Sequence, residues 1–417
     1  MPNVRFVLWL LNILNMTKRT LYTFLILASL AHPLSAQSFA DAVKDGFAPL
    51  GNLLKGGDKD TLDAPRRKTE IKSVTLKDGT LYIGEMKGKR PHGAGKATYR
   101  NGDTYEGGFL KGVRHGQGVY RFKDGETYEG EFLDGKQHGK GVFHFSDGRV
   151  YDGNWEEDYQ HGYGRMEYPN GDVYTGMWAE DERSGSGSYF FADGASYVGE
   201  WNNDVRHGMG VYIWPDNSRY SGMFNNGKRS GKGKYISADS AVVYEGTWLN
   251  NLYDGEGVLM FADGDTYEGT FKAGDFNGPG RYFFADGSLY EGNFSAGLRH
   301  GRGVMQFAEG ARYEGEWKNG RRHGRGKYTW ANGDVYEGGW KDDVISGSGV
   351  LRRKNGIKYK GGFLNGLEHG AGVAEDVDGK RYEGTFENGA RHGKFVVKDK
   401  SGKVIQESVY NSGNTVK

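Results

Sequence analysis

Rings, glycines and charged residues alternate with a short, fixed period from residue 82 onward. In residues 128–132 (YEGEF) the rings and the glycine take alternate positions, with carboxylates between them. Successive side chains of a strand point to opposite faces, so this segment predicts a strand with one aromatic and one solvated face. Residues 118–122 (GVYRF) predict a second such strand, and Asp124-Gly125 predicts a tight turn through positive φ.

Tyrosine keeps one register along this pattern. Fourteen tyrosines follow one another at intervals of 23 residues, with one interval of 24. Gly lies two residues after each, and Phe or Trp lies four residues after all but the first, where Met86 stands. A second glycine comes eleven residues after each tyrosine, and in nine repeats it follows a histidine. The tyrosines are Tyr82, Tyr105, Tyr128, Tyr151, Tyr174, Tyr197, Tyr220, Tyr244, Tyr267, Tyr290, Tyr313, Tyr336, Tyr359 and Tyr382, and the histidines are His92, His115, His138, His161, His207, His300, His323, His369 and His392.

The repeat predicts an all-β fold, an elongated single-layer antiparallel meander of about fourteen hairpins. Glycines on the ring-bearing face have no Cβ, so they leave slots in which rings can lie. We therefore interpret Tyr105, Gly107, Tyr128 and Gly130 as structural positions. His115, His138 and His323 are predicted to be structural too, each imidazole holding the loop backbone.

Residues 313–326 (YEGEWKNGRRHGRG) carry the whole motif. This motif resembles the membrane occupation and recognition nexus (MORN) repeat, and the resemblance covers residues 82 to about 395. It implies an elongated single-layer antiparallel sheet, and roles in scaffolding, dimerisation or lipid contact for repeats that are not themselves enzymes.

The N-terminal residues are typical of an export signal. Residues 1–36 are expected to be a signal peptide, with a basic start at Lys18-Arg19, a short apolar run and a cleavage site before Gln37. Met16 is an alternative start, and an uncleaved anchor to the inner membrane is the alternative to cleavage. Residues 37–70 predict a short helix and a charged linker, residues 71–402 the repeat array, and residues 403–417 a capping strand and tail.

The pattern is least regular in its middle and at its end. The one extra residue falls within residues 237–241, and a single insertion reverses the faces of a strand unless a bulge absorbs it. We therefore predict a bend between about residues 216 and 278. In the final strand Ile405 and Val409 are expected at the ring positions.

Composition excludes several classes of function. The 55 Lys and Arg balance 54 Asp and Glu, so the basic footprint of a nucleic-acid-binding protein is missing. There is no cysteine, which excludes disulfides and thiolate chemistry. Successive histidines are expected too far apart to share a metal ion, and the carboxylates recur as one solvated stripe. No catalytic site, metal or cofactor is predicted.

These features favour a non-catalytic, exported scaffold, periplasmic or secreted, that binds an unknown protein partner or self-associates as a homodimer. The first alternative is a glycan such as peptidoglycan, stacked on rings that recur along one face. A phospholipid surface is the second alternative. The candidate glycan- or partner-binding residues are Trp155, Trp178, Trp201, Trp248, Trp317 and Trp340.

Overall fold

The computed structural model describes residues 71–416, and every helix or strand among them is a β-strand. The predicted signal segment, its Met16 start, and the predicted helix and linker of residues 37–70 lie outside the described residues. Thirty-one strands form one sheet, in which each strand pairs antiparallel with its neighbours in sequence. The predicted all-β antiparallel meander in one sheet is confirmed.

Each repeat contributes a seven-residue strand that holds the tyrosine and a nine-residue strand that holds the second glycine. The seven-residue strands are β2 (Leu81–Lys87), β4 (Thr104–Leu110), β6 (Thr127–Leu133), β8 (Val150–Glu156), β10 (Val173–Ala179), β12 (Ser196–Asn202), β14 (Arg219–Asn225), β16 (Val243–Leu249), β18 (Thr266–Lys272), β20 (Leu289–Ser295), β22 (Arg312–Lys318), β24 (Val335–Lys341), β26 (Lys358–Leu364) and β28 (Arg381–Glu387).

The nine-residue strands alternate with them: β3 (Arg90–Thr98), β5 (Val113–Arg121), β7 (Lys136–His144), β9 (Tyr159–Glu167), β11 (Glu182–Phe190), β13 (Val205–Ile213), β15 (Lys228–Ile236), β17 (Leu252–Met260), β19 (Asp275–Phe283), β21 (Leu298–Gln306), β23 (Arg321–Thr329), β25 (Val344–Arg352), β27 (Leu367–Glu375) and β29 (Ala390–Lys398). Three strands complete the described ends of the sheet: β1 (Ile71–Thr75), β30 (Val404–Asn411) and β31 (Asn414–Val416).

The repeat tyrosine lies flat over a pair of glycines that face each other across its hairpin. Gly292 pairs with Gly303, and a Cβ on Gly303 would overlap the ring of the fully buried Tyr290. The hydroxyl of Tyr290 donates a hydrogen bond of 3.0 Å to the carbonyl oxygen of Asn293. The corresponding bond forms at every repeat tyrosine from Tyr82 to Tyr359. In the first thirteen repeats the glycines are thus the slots that the sequence predicts, each filled by the tyrosine of its own hairpin.

Rings of neighbouring repeats hold the tyrosine at its edges. Tyr290 packs edge-on against Phe294 of its own repeat, with ring centroids 5.1 Å apart, and against Trp317 of the next repeat at 5.3 Å. Such edge-to-face pairs stabilise each contact by about 0.5–1.5 kcal/mol beyond area burial. The core is therefore a row of rings along one face, which we call the ring face.

The second glycine is required by the backbone. Gly116 has φ of 71°, and the corresponding glycine has positive φ in all fourteen repeats. Between β4 and β5, Gly107 pairs with Gly118 and Phe109 with Arg114, so one residue of β4 faces three residues of β5. This bulge needs a left-handed residue, which glycine adopts without steric cost.

Two kinds of turn join the strands. Lys111 and Gly112, between β4 and β5, both have positive φ, as a two-residue type I′ turn requires. After β5 only Gly125 has positive φ, and its N–H donates to the carbonyl oxygen of Phe122 at 3.1 Å. The predicted Asp124-Gly125 turn is therefore a type I turn closed by a left-handed glycine.

The inserted residue does not disturb the strands. Tyr235 pairs with Tyr244, and Ile236 with Val243, as in the regular repeats. The extra residue lies in the loop of residues 237–242, where Ser240 takes φ of 61°. Because the loop absorbs it, every side chain keeps its face. The bend predicted between about residues 216 and 278 stays a prediction.

The last strands depart from the predicted pattern. A register shift between β29 and β30 leaves Ile405 unpaired and sets Tyr410 opposite Gly393. Tyr410 packs on the ring of Phe395 at 5.3 Å, whereas Ile405 and Val409 are exposed. The expectation that Ile405 and Val409 take the ring positions is therefore wrong, because one bulged residue moves the register.

We expect Gly303→Ala to lower the free energy of unfolding by about 1–3 kcal/mol, because the added methyl group overlaps the Tyr290 ring. Urea denaturation of the full chain, followed by tryptophan fluorescence, measures this loss. The control is Arg302→Ala on the exposed side of the same strand, expected to change stability by about 0.5 kcal/mol or less. Equal losses in both variants would contradict the packing account.

Alkaline pH should unfold the array. Burial raises the pKa of Tyr267, Tyr290 and Tyr336 to about 12, above the unfolded value of about 10. Their contribution to stability is therefore complete below a pH of about 10 and is lost as the pH rises through about 12. Circular dichroism and tyrosinate absorbance should change together. Titration of these tyrosines near pH 10 with the sheet intact would contradict this expectation.

Candidate functional site: an uncharged patch on the polar face

The face opposite the rings, which we call the polar face, carries cross-strand ion pairs on both sides of its middle. Lys96 lies 3.6 Å from Glu106, and Arg281 lies 3.9 Å from Glu291. All four side chains are about half exposed or more, so each pair stabilises the sheet by about 1 kcal/mol or less.

The charges are interrupted in the middle of this face. The residue after the repeat tyrosine is Thr175, Val198 and Ser221 in three successive repeats, where other repeats place Glu, Asp or Lys, apart from Ile83 in the first. Ser188 pairs with Thr175 and Val198, and Val211 pairs with Val198 and Ser221. Five neighbouring positions across β10 to β14 are therefore uncharged.

Apolar side chains stand beside this row. Tyr163 pairs with Met177, and Met209 pairs with Met223. They are 37%, 42%, 50% and 44% exposed, respectively. We call Tyr163, Met177, Val198, Met209, Val211 and Met223 the methionine patch. Exposed apolar patches of this kind mark interaction sites, and methionine is flexible enough to fit irregular partner surfaces.

One carboxylate lies within the patch. Glu200 Oε1 accepts a hydrogen bond of 3.1 Å from the backbone N–H of Met209. Glu316 makes the same contact with Arg325 at 3.0 Å. This carboxylate therefore satisfies the bulge backbone, and the exposed thioethers and the partly buried valines supply the rest of the patch.

The family model for the MORN repeat matches fourteen consecutive segments, from residue 82 to residue 394, with short gaps. The chain belongs to the MORN-repeat family. MORN repeats are scaffolds for protein or membrane interaction. The comparison with curated proteins finds no match.

Several solved structures are similar to this MORN array at low scores. The SAS-4 TCP domain of Drosophila melanogaster, in complex with a proline-rich motif of Ana2, is 12% identical, with a TM-score of 0.23, and covers 43% of this chain and 85% of its own. The TCP10 domain of Danio rerio CPAP, in complex with a peptide of STIL, is 13% identical, with a TM-score of 0.17. The match covers 74% of this chain and 99% of that domain. Virginiamycin B lyase of Staphylococcus aureus is 12% identical, with a TM-score of 0.12. The match covers 73% of this chain and 90% of the lyase. Scores this low carry no argument about function.

The six tryptophans proposed as binding residues lie in the core of the MORN array, on the ring face. Their exposed fractions are 2–6%, and tyrosines of their own and the preceding repeat pack against each. Each indole N–H donates to a glycine carbonyl oxygen of the preceding repeat. This packing leaves no free indole face for a sugar, and so it argues against glycan stacking on Trp155, Trp178, Trp201, Trp248, Trp317 and Trp340.

The imidazoles of the MORN histidines do not hold the loop backbone in the way that the sequence predicts. Nδ1 of His115 and of His323 is buried without a hydrogen-bond partner, as are those of His369 and His392. At His138 the backbone makes the contact, because its carbonyl oxygen accepts a bond of 3.3 Å from the Tyr128 hydroxyl. These four Nδ1 atoms therefore do not make the predicted hydrogen bond to the loop backbone. Carboxylate oxygens lie near three of them, 4.0 Å from His115, 3.5 Å from His323 and 3.4 Å from His392. Among residues 71–416 no group of three or more His, Asp or Glu could hold a metal ion.

The remaining predicted positions lie where the repeat requires them. Tyr105 and Tyr128 are fully buried, over the glycine pairs that include Gly107 and Gly130. The methionine patch was missed from the sequence. The sequence does contain a sign of the patch. At the position after the repeat tyrosine, no glutamate occurs between Glu129 and Glu245. No helix within residues 71–416 is long and apolar enough to span a membrane.

Trp178→Ala should lower the free energy of unfolding by about 3–5 kcal/mol, because it leaves a cavity among packed rings. Its neighbour Met177 points to the other face, so Met177→Ala should cost about 0.5 kcal/mol or less. Chemical denaturation of both variants measures the difference. A stable Trp178→Ala protein would contradict the core assignment.

Proposed function

We propose that this MORN array is a non-catalytic scaffold that binds a protein partner through the methionine patch. The observation that carries the proposal is the coincidence of three exposed methionines with the stretch of the polar face that lacks the repeat's charges. Burial of the exposed part of one such methionine side chain favours association by about 1 kcal/mol. Met209 and Met223, on the adjacent strands β13 and β14, and Met177 on β10 therefore form the centre of an interface.

The surroundings of the patch favour a protein over a lipid bilayer. Lys234 and Glu245 form an ion pair of 3.0 Å beside it, and the charges of the whole chain nearly cancel. A polar rim around an apolar centre is the composition of protein interfaces, whereas anionic bilayers attract surfaces with an excess of Lys and Arg.

We also propose that the scaffold acts after export, in a periplasm or outside the cell. The basic start, short apolar run and small-residue site of residues 16–36 support this location. The lack of cysteine is compatible with an oxidising compartment.

The test compares two double variants of the full-length protein expressed in its native cells. Met177→Lys with Met223→Lys places two cations in the patch, at the third residue after the repeat tyrosine. Thr247→Lys with Asn293→Lys places two cations at the same repeat position outside it. Cross-linking and quantitative mass spectrometry measure the proteins attached to each.

We expect the patch variant to lose its main cross-linked partner by about tenfold or more, and the control variant to keep it. Both should unfold at the same temperature as the unmodified protein, because all four side chains point away from the rings. A self-link lost in the patch variant would identify a second copy as the partner. Equal recovery from both variants would exclude the patch.

A further inference from the structure

A second row of rings runs along the ring face, in ten of the fourteen loops that follow a nine-residue strand. Phe122 packs on Phe143 of the next repeat at 5.7 Å, and Trp214 packs on Tyr235 at 5.8 Å. Ser237 takes this position in the next repeat and interrupts the row. The ring positions are Tyr99, Phe122, Phe145, Tyr168, Phe191 and Trp214 before the interruption, and Phe261, Phe284, Phe307 and Trp330 after it.

A cavity of about 540 Å³ lies where the row is interrupted. Its walls include Trp214, Tyr235, Trp248 and Tyr253, and Arg229 lies among them. A smaller cavity of about 200 Å³ lies at Tyr359 and Glu368, in the repeat where Asp376 takes the ring position. The larger volume falls within the range of small-ligand sites. The missing ring thus coincides with space for a ligand of aromatic shape.

Arg229 brings a cation into this cavity. Its guanidinium carbon lies 4.2 Å from the ring centroid of Trp248, and one of its N–H groups donates to the carbonyl oxygen of Asn251 at 3.0 Å. Burial lowers the pKa of this guanidinium. The rim carboxylate of Asp216 accepts hydrogen bonds from the backbone N–H and hydroxyl of Ser218.

Two of the arginines at this repeat position are paired with a carboxylate. Arg183 lies 2.7 Å from Asp204, and Arg322 lies 2.9 Å from Asp343. At Arg229 the residue that corresponds to these aspartates is Asn251. Arg114, Arg206 and Arg299 donate to glycine carbonyl oxygens instead. Within residues 71–416 no carboxylate forms an ion pair with Arg229, so a half-buried cation without a carboxylate partner lines the larger cavity. A ligand carboxylate would restore the missing partner, as charge-assisted bonds to arginine are strong.

We propose that this cavity binds an acidic peptide segment in which an aromatic side chain stands next to a carboxylate. The aromatic ring takes the place left by Ser237 in the row, between Tyr235 and Tyr253. The carboxylate pairs with Arg229. Because the cavity opens on the ring face and the methionine patch on the polar face, the two sites bind independently.

Unlabelled peptides test the site on the full chain. The probe is acetyl-Gly-Phe-Asp-Gly-amide. One control peptide replaces Asp by Asn, which removes the charge but keeps the shape, and another replaces Phe by Ala. Isothermal titration calorimetry should show that each replacement weakens binding by about tenfold. No binding of the Phe-Asp probe at about 1 mM protein would overturn the proposal.

Arg229→Gln removes the charge and should keep the fold, because Gln137 and Gln160 occupy the same position in two other repeats. This variant should bind the Phe-Asp and Phe-Asn peptides equally well, at the level of the Phe-Asn peptide on the unmodified chain. The matched control is Arg114→Gln, in a repeat that keeps its ring at Phe122, and it should retain the tenfold preference for Asp. A preference that survives in Arg229→Gln would overturn the role of the guanidinium.

Ser237→Phe restores the ring and leaves Arg229 unchanged. It should abolish binding of all three peptides and raise the thermal midpoint, because it fills the cavity with a side chain that the array uses elsewhere. Met177→Lys with Met223→Lys should bind the Phe-Asp probe normally, so that failure of the interface on the polar face and failure of this cavity remain distinguishable. Unchanged binding in Ser237→Phe would show that the peptide lies elsewhere.

Discussion

The tyrosine ring that lies over two glycines is the contact on which the sheet depends. A sheet one layer thick has no second sheet or helix to cover its apolar face. Here the rings themselves form the second layer, and the glycine pair lets each ring approach the backbone closely enough to exclude water. The hydroxyl fixes the ring in place, because it donates to a carbonyl oxygen three residues along the same strand. Ring, glycines and hydrogen bond are therefore one unit, which the chain repeats.

This unit also couples the repeats. Each repeat tyrosine from Tyr105 to Tyr359 packs edge-on between the Phe or Trp of its own repeat and that of the next, as Tyr105 does between Phe109 and Phe132. Contacts are therefore local in sequence, and stability accumulates between neighbours as in other repeat proteins. The last repeat shows how the row ends. Phe395 stands where a glycine would stand and fills the slot with its own ring, and Tyr410 covers it.

The sequence predicts what is periodic. The tyrosine spacing determines the strands, the glycines determine the ring slots, and alternation determines the two faces. Features that depend on how neighbouring repeats pack on one another cannot be predicted from this spacing. The bulge that makes Ile405 unpaired is set by packing on Phe395, and the burial of the tryptophans follows from rings of adjacent repeats. The histidine position is a further example, because its fixed place in the repeat suggests a hydrogen bond to the loop backbone that Nδ1 of His323 does not make.

In such an array, binding residues can occur at the positions that the packing of the tyrosine and glycines does not constrain. The residue after each tyrosine faces solvent, so replacement of Glu by Val198 or Ser221 costs the core nothing and changes what the polar face attracts. The ring after the nine-residue strand packs on rings outside the tyrosine row, as Phe122 does on Tyr120 and Phe143, so Ser237 removes it without breaking that row. The insertion in the same loop leaves the strands on both sides in register. Departures from the repeat therefore locate the two candidate sites more reliably than its most regular residues, because regular residues are already committed to packing.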